Sequence, residues 1–313
     1  MLTYLLKRIL SAIPVMGVVA IVVFSLLYFA PGDPAALLIG DTATEAEIAV
    51  LRQKLGLDQP FFPRFAGWLW ALLHGDLGTS IFSGTPVLAL ILERLQPTFY
   101  LMLLTMGITV ACSVPFGVLA AWRQSSALDR GVMVFAVLSF SVPVFAVGYL
   151  LAYVFSVSLG WLPVQGYVSP QEGFGAFLAR MILPALSLST IFIALASRTT
   201  RAAMIEVLNQ DYIRTAKAKG LPDRTLLFRH ALRAASVPII TVFGIGVGGM
   251  ISGAVATETV FAIPGLGRLT VDAVLQRDYP VIQGLVLMFS LFYVLINLMV
   301  DIFYALVDPR IRY

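Results

Sequence analysis

The chain contains 313 residues, of which 59% are hydrophobic and 12% charged, with a formal net charge of +4. Its mean hydropathy is +0.91. Soluble domains are roughly 45–50% apolar and about 25% charged, so the composition excludes a soluble enzyme and predicts an all-α polytopic membrane protein. The single cysteine, Cys112, excludes an intrachain disulfide, and neither histidine has neighbours at ligand spacing, so we expect no metal site.

Six apolar runs reach the length of a membrane-spanning helix, which needs about 20 residues. The first exceeds the roughly 7–15 residues of a signal-peptide core, so we interpret it as a retained helix. The runs are continuously apolar rather than alternating, which favours helices over a barrel. The predicted spans are Ile9–Ala30, Thr98–Ala121, Gly131–Val157, Met181–Ser197, Ser236–Thr257 and Gly284–Val307, of which the fourth is the shortest.

The basic residues predict the orientation of these six spans. Both termini fall on one side, together with 14 of the 21 Lys and Arg residues. The formal charge is +9 on that side and −4 on the other. Because cytoplasmic loops carry an excess of basic residues, we expect both termini to be cytoplasmic.

The longest segment between spans, residues 31–97, is predicted to be an external subdomain. The capping box from Thr44 to Glu47 begins a helix that we expect to end at Gly56. Aromatic residues between Phe61 and Leu73 are typical of an interfacial helix, which is more often a membrane anchor than a ligand site. We therefore divide the chain into residues 1–30 with the first span, the external subdomain 31–97, a five-helix core 98–307 and a tail 308–313.

Residues 198–235, between spans four and five, carry eight of the basic residues. Apolar residues at helical spacing (Ile205, Leu208, Tyr212 and Ala216) predict one face of a helix that ends at Gly220. Pro222 suits the first turn of a second helix, from Asp223 to about Ala235. The residues leave three alternatives open for this helix-turn-helix: a basic interfacial helix, a nucleic-acid-binding element, or a docking element for a cytoplasmic partner. The second is disfavoured because aromatic residues are not interleaved with the charges.

Motifs for chemistry within the chain are missing from the sequence. There is no G-x-x-x-x-G-K-[ST] loop, no G-x-S-x-G elbow and no H-E-x-x-H, so we expect neither ATP binding nor catalysis by this chain. Glycines four residues apart between Gly244 and Gly253 predict close helix packing. Asp301 lies in span six, near a helix end, where an interfacial position is the alternative to a function. The candidates for lining a translocation path are Ser139, Ser141, Ser252 and Glu258, although serines near Pro143 also serve to satisfy backbone groups.

Motifs along the whole chain, in order, resemble those of the dipeptide/oligopeptide family of ABC-importer permeases, and specifically its first permease subunit. Each match is modest, and together they are highly specific. The motifs are Lys7-Arg8-Ile9-Leu10, Pro31-Gly32-Asp33-Pro34, Leu55-Gly56-Leu57-Asp58-Gln59-Pro60, Gly75-Asp76-Leu77-Gly78-Thr79-Ser80, Tyr212 to Gly220, Arg229-His230-Ala231-Leu232-Arg233, Glu258-Thr259-Val260-Phe261, Pro264-Gly265-Leu266-Gly267 and Asp308-Pro309-Arg310.

The resemblance implies a type I importer permease in the bacterial inner membrane. It would pair with a second homologous permease, with two cytoplasmic ATPase subunits that bind ATP and magnesium, and with an external substrate-binding protein, and it would not bind nucleic acid. The segment around Gly220 resembles the family's coupling loop, although Arg214-Thr215-Ala216 lacks the leading glutamate of the general E-A-A-x-x-x-G pattern. The residues implied to contact the ATPase are Tyr212, Arg214, Thr215, Ala216, Lys217, Lys219, Gly220, Leu221 and Asp223.

The substrate stays open at this stage. Members of the family carry dipeptides, longer peptides, glutathione or nickel complexes, and short peptides are favoured by frequency alone. The alternative from another class is a secondary transporter or channel. That class usually has several ionisable residues inside its spans, whereas the spans here are nearly free of charge.

Overall fold

The computed structural model describes residues 2–29, 44–54 and 60–307. In these ranges the chain is helical, and its only β pairing is an isolated bridge between Thr79 and Pro86. The predictions made for residues 31–43, 55–59 and 308–313 lie outside the described residues. The helices are α1 Leu2–Phe29, α2 Glu45–Lys54, α3 Phe61–Leu73, α4 Val87–Trp122, α5 Ala127–Ser141, α6 Val144–Leu151 continued by a π-helix Ala152–Ser158, α7 Phe174–Leu208, α8 Asp211–Ala218, α9 Asp223–Thr225, a second π-helix Leu226–Ala231, α10 Leu232–Ala234, α11 Ser236–Val260, α12 Leu266–Gln276 and α13 Tyr279–Val307.

The chain forms two compact units. Of the described residues, the first contains 94–271 and 295–307, and the second contains 2–29, 44–54, 60–93 and 272–294. The predicted five-helix core therefore contributes residues 272–294 to the second unit.

Four helices of the described chain are long and apolar enough to cross a membrane, and α5 with α6 makes a fifth if the bent pair is one span. In α1, the apolar residues whose side chains the structure describes extend over Leu10–Ser25, which is shorter than a span. The fourth predicted span, which was the shortest of the six apolar runs, lies in the middle of the 35-residue α7. The four helices extend Val87–Trp122, Phe174–Leu208, Ser236–Val260 and Tyr279–Phe303.

The third predicted span is not one straight helix. Its two halves meet at Val142 and Pro143 with a bend of 104°. Val142 is extended, with φ −104° and ψ 123°, as expected for a residue before proline. Since Pro143 has no N–H to continue the helical hydrogen bonds, the chain begins a new helix with a new direction.

Helix α7 is central to the first unit, where it packs against α5, α6 and α11. The predicted close packing of the α11 glycines is confirmed. A Cβ added at Gly253 would lie 2.5 Å from Leu188 of α7, and one added at Gly249 would lie 3.1 Å from Phe192. On the other side of α11, a Cβ at Gly244 would lie 2.5 Å from Val300. Small residues thus let these helices approach closely.

The second unit is organised around α1 and α3. The helices predicted at residues 44–55 and 61–73 are present as α2 and α3. Phe24 of α1 packs against Phe65 and Trp68 of α3, at ring centroid distances of 5.3 and 5.2 Å. The buried Asp278, at the turn before α13, accepts a hydrogen bond from Ser80 Oγ at 2.5 Å. Both contacts fix the aromatic helix and its following turn within this unit.

Candidate functional site

The candidate site is the elbow, which we define as residues 209–235 between α7 and α11. It contains α8, a turn at residues 219–222, and a helical run of α9, a π-helix and α10. The predicted second helix is confirmed, with Pro222 at its N-cap rather than in its first turn. A two-helix element therefore leads directly from one long helix into another.

The predicted first helix is wrong in one respect. The chain leaves the helix at Asn209 and Gln210, and Gln210 is extended with φ −73° and ψ 146°. This interruption changes the helical phase, so residues on either side of it do not share one face. Ile213 is buried in consequence, with 3% of its surface exposed, whereas Tyr212 is 50% exposed.

Gly220 ends α8 in a left-handed conformation, with φ +80°. Its N–H donates to the carbonyl oxygen of Lys217 at 3.0 Å, and the N–H of Leu221 donates to that of Ala216 at 3.4 Å. This pair of hydrogen bonds is the Schellman motif, in which glycine is favoured at the left-handed residue. An added Cβ would meet nothing within 4 Å in this chain, so the backbone angle, and not lack of space, accounts for a glycine here.

A buried apolar cluster, which we call the elbow seat, fixes the elbow to three long helices. Ile213 and Leu226 of the elbow are 3% and 1% exposed within it. Burial of each such side chain stabilises the packed state by about 1.5–3 kcal/mol. The elbow seat consists of Val118 and Ala121 of α4, Ala203 and Met204 of α7, Ile213, Leu226, Leu227, Ala231 and Ala235 of the elbow, and Ile239 of α11.

The other side of the elbow is exposed and basic. The Nζ atom of Lys217 lies 5.5 Å from the centre of the Trp122 ring, a cation–π contact that orients this lysine. Arg214 pairs with Asp211 at 3.4 Å, but both side chains are so exposed that the pair contributes little stability. The exposed residues of the predicted contact set are Tyr212, Arg214, Thr215, Lys217, Lys219, Gly220 and Asp223, and the half-buried ones are Ala216 and Leu221.

Sequence reasoning missed two features of this surface. Phe228 is 49% exposed on the π-helix, among the basic residues of the second elbow helix. It directly follows the apolar Leu226 and Leu227, so no local signal in the sequence distinguishes it from the buried residues of this helix. Trp122, at the end of α4, was missed because its contact with Lys217 joins residues that are distant in sequence.

Glu258, a candidate for the path, lies inside the first unit. It is 0% exposed. Its carboxyl group accepts a hydrogen bond from Thr98 Oγ1 at 2.6 Å and one from the N–H of Arg268 at 3.0 Å. Thr98 Oγ1 in turn accepts from the N–H of Leu266 at 2.8 Å. In this conformation the carboxyl group of Glu258 is buried and holds the turn between α11 and α12.

The glycines after Glu258 make room for its carboxyl group. A Cβ added at Gly265 would lie 2.3 Å from the carboxyl carbon. A Cβ at Gly267 would lie 2.9 Å from Oε2 and 2.5 Å from the Val255 backbone. The glutamate and the two glycines, separate motifs in the sequence, are therefore one structural unit.

The three candidate serines lie on two different helices. Ser139 is buried and donates to the carbonyl oxygen of Phe135 at 2.8 Å, and Ser141 is exposed and donates to that of Val137 at 3.0 Å. Both hydroxyls thus satisfy backbone groups just before the break at Pro143, and Ser252 is exposed on α11. An open groove of about 470 Å³ lies between one end of α7 and α11, next to the elbow, and is lined by Thr199, Val237, Pro238, Thr241, Val242 and Ile245.

These features define a class: polytopic helical membrane proteins with an exposed helical elbow seated between long apolar helices. Two family descriptions match the chain: "Binding-protein-dependent transport system inner membrane component" over residues 113–313, and the corresponding N-terminal description over residues 1–110. The chain belongs to this family of binding-protein-dependent transport system inner membrane components. Members of the family are the permease subunits of ABC importers and are not the catalytic subunits.

Three curated relatives match the chain almost from end to end. The probable peptide ABC transporter permease protein y4tP of Sinorhizobium fredii is 51% identical over 310 residues, covering 99% of each chain. A putative peptide transport system permease protein of Brucella abortus is 45% identical over 313 residues and covers 100% of both. The glutathione transport system permease protein GsiC of Salmonella typhi is 44% identical over 313 residues, again with 100% coverage.

Proposed function

We propose that the chain conducts di- or oligopeptides across the bacterial inner membrane as one of two permeases in an ATP-driven importer. The observation that carries this proposal is the end-to-end similarity, at 45–51% identity, to permeases named for peptide transport. The second permease would be a homologue, so that the pore is heterodimeric. An external binding protein would deliver the substrate.

The elbow is the proposed contact with the ATPase subunits, which would bind ATP and magnesium. Closure of the two ATPases around ATP would displace the elbow, because ATP binds the closed state more tightly. The elbow seat joins the elbow to α4, α7 and α11, so a displacement would tilt the inner ends of three helices together.

Charge reversal in the elbow tests this contact. We expect Arg214→Glu and Lys219→Glu each to weaken binding of the ATPase subunits by roughly 2- to 10-fold, because an exposed attraction is replaced by a repulsion. Co-purification of the complex at low and high salt measures the effect, which should shrink as salt rises. Arg123→Glu is the control, because Arg123 is an exposed cation outside the elbow. Equal losses for all three variants would contradict the assignment.

We propose that both termini and the elbow face the cytoplasm and that residues 31–97 are external. The charge difference between the two sides supports this topology. The division of the chain into 1–30, 98–307 and 308–313 follows from this topology.

The proposed lining of the path consists of the groove beside the elbow together with Ser139, Ser141 and Ser252. Glu258 holds the outer turn.

Glutathione is the second candidate substrate, because GsiC is 44% identical over the full chain. Uptake of labelled dipeptide, tripeptide, pentapeptide, glutathione and a nickel chelate into proteoliposomes, with the binding protein and the ATPases present, separates these alternatives. We expect ATP-dependent uptake of peptides. Uptake of glutathione alone would reassign the substrate, and uptake that persists without any ATPase would instead indicate a secondary transporter.

A further inference from the structure

A partly buried ion pair joins α5 to α7 at the level of the elbow seat. We propose that this pair, Asp129 with Arg201, makes α5 a fourth helix driven by the elbow and carries its displacement to the break at Pro143. The inference rests on the proposed function, in which the elbow is displaced by the ATPase subunits. It adds Asp129 and Arg201 as residues that position α5 relative to the helices joined to the elbow.

The Asp129 carboxylate is held from three directions. Nε of Arg201 donates to its Oδ1 at 2.5 Å, and Nη2 of Arg201 donates to its Oδ2 at 2.8 Å. The N–H of Ser125 donates to Oδ2 at 2.9 Å, while the N–H of Asp129 donates to Ser126 Oγ at 3.3 Å. Asp129 is only 4% exposed. The two-point contact fixes the orientation of the guanidinium as well as its distance, so α5 cannot rotate or slide at this end without breaking it.

Arg201 lies among residues that belong to the elbow seat or pack against α4. Ala203 and Met204, on the next turn of α7, are members of the elbow seat. Thr200 is fully buried, and a Cβ added at Gly117 of α4 would lie 2.5 Å from it. This part of α7 is therefore packed too closely to shift independently of the elbow, and the Arg201 side chain extends that rigid block to α5.

The far end of α5 lies at the break between α5 and α6. It ends at Ser141, where the chain turns by 104° into α6. Because the break separates α5 from α6, a displacement applied at the first turn of α5 is carried along this helix to the break without α6 having to follow. The guanidinium of Arg198, 6.0 Å from the Phe140 ring, is a second contact between α7 and α5. Ser139 and Ser141, proposed to line the path, lie at this moving end.

Uptake per ATP hydrolysed tests the inference in the reconstituted importer with its binding protein. Asp129→Asn and Arg201→Gln each remove one charge, Arg201→Lys keeps the charge but loses the two-point contact, and Arg130→Gln is the control. Arg130 is exposed and adjacent to Asp129. We expect uptake per ATP to fall about 2- to 30-fold in the two neutral variants. The fall should be smaller in Arg201→Lys, and Arg130→Gln should not change the ratio.

Loss of Arg201 leaves the buried carboxylate of Asp129 without its partner, so a single variant can fail to fold. The double variant Asp129→Asn with Arg201→Gln removes both charges, and its uptake per ATP must also fall. If folded variants lower uptake and ATP hydrolysis in equal proportion, the pair is only structural and the inference is overturned. Failure of the wild-type importer to couple uptake to ATP would instead overturn the proposed function.

Discussion

Replacement of Gly220 by valine should uncouple ATP hydrolysis from uptake while the permease still inserts and folds. Gly220 has φ +80°, which a β-branched side chain strongly disfavours. The Schellman hydrogen bonds that close α8 require that angle, so the turn at residues 219–222 would rearrange. Since an added Cβ meets nothing within 4 Å in this chain, the elbow seat and the long helices should be unaffected. We expect uptake per ATP in proteoliposomes to fall at least about fivefold.

A second glycine provides a matched control. Gly160 follows the π-helix Ala152–Ser158 in the same position, with φ +64° and open space around it. Gly160→Val should therefore have a similar conformational cost and leave the ratio unchanged. Gly220→Asn distinguishes two reasons for a glycine here, because asparagine tolerates the left-handed conformation. If only the backbone angle matters, this variant keeps coupling. If a partner subunit packs directly on the glycine, the variant loses coupling. Wild-type uptake per ATP by Gly220→Val, at normal expression, would contradict the coupling assignment.

The position of the elbow could be predicted from the sequence because its signals are local. Gly220 followed by Pro222, between two amphipathic stretches, indicates a turn without knowledge of the rest of the fold. The long apolar helices could also be predicted, since a continuous apolar run is recognised without knowledge of what it packs against. The ends of these helices could not be predicted as well, because α7 extends from Phe174 to Leu208, well beyond the apolar residues that predicted it.

Features that depend on distant residues could not be predicted. The interruption at Asn209 and Gln210 changes which elbow residue is buried, and nothing in the local spacing of Tyr212 and Ile213 decides between them. Likewise, the ionic partner of Asp129 lies 72 residues away on another helix. Pro143 was recognised as a proline within a span, but a kink and a 104° break give the same sequence pattern.

Replacement of Gly265 by alanine should destabilise the permease far more than a methyl group usually does. The added Cβ would lie 2.3 Å from the carboxyl carbon of Glu258. Glu258 would have to move and break its hydrogen bonds with Thr98 Oγ1 and the Arg268 N–H. Each buried donor left unsatisfied costs about 1–3 kcal/mol. The melting temperature of the detergent-solubilised chain measures the effect, with Gly175→Ala as the control. Gly175 lies in α7 with open space around it, so this change should be neutral or slightly stabilising.

A double-mutant cycle tests whether the glutamate is the cause. Glu258→Ala should also destabilise the chain, because it leaves the same donors without an acceptor. In that background, however, the methyl group introduced by Gly265→Ala would occupy space vacated by the carboxyl group, so this second change should cost much less than it does alone. An equal cost in both backgrounds would show that the Gly265 backbone, and not its contact with Glu258, requires a glycine. The coupled outcome would explain why a motif that begins with a glutamate ends with two glycines: the carboxyl group fills the volume that their side chains would take.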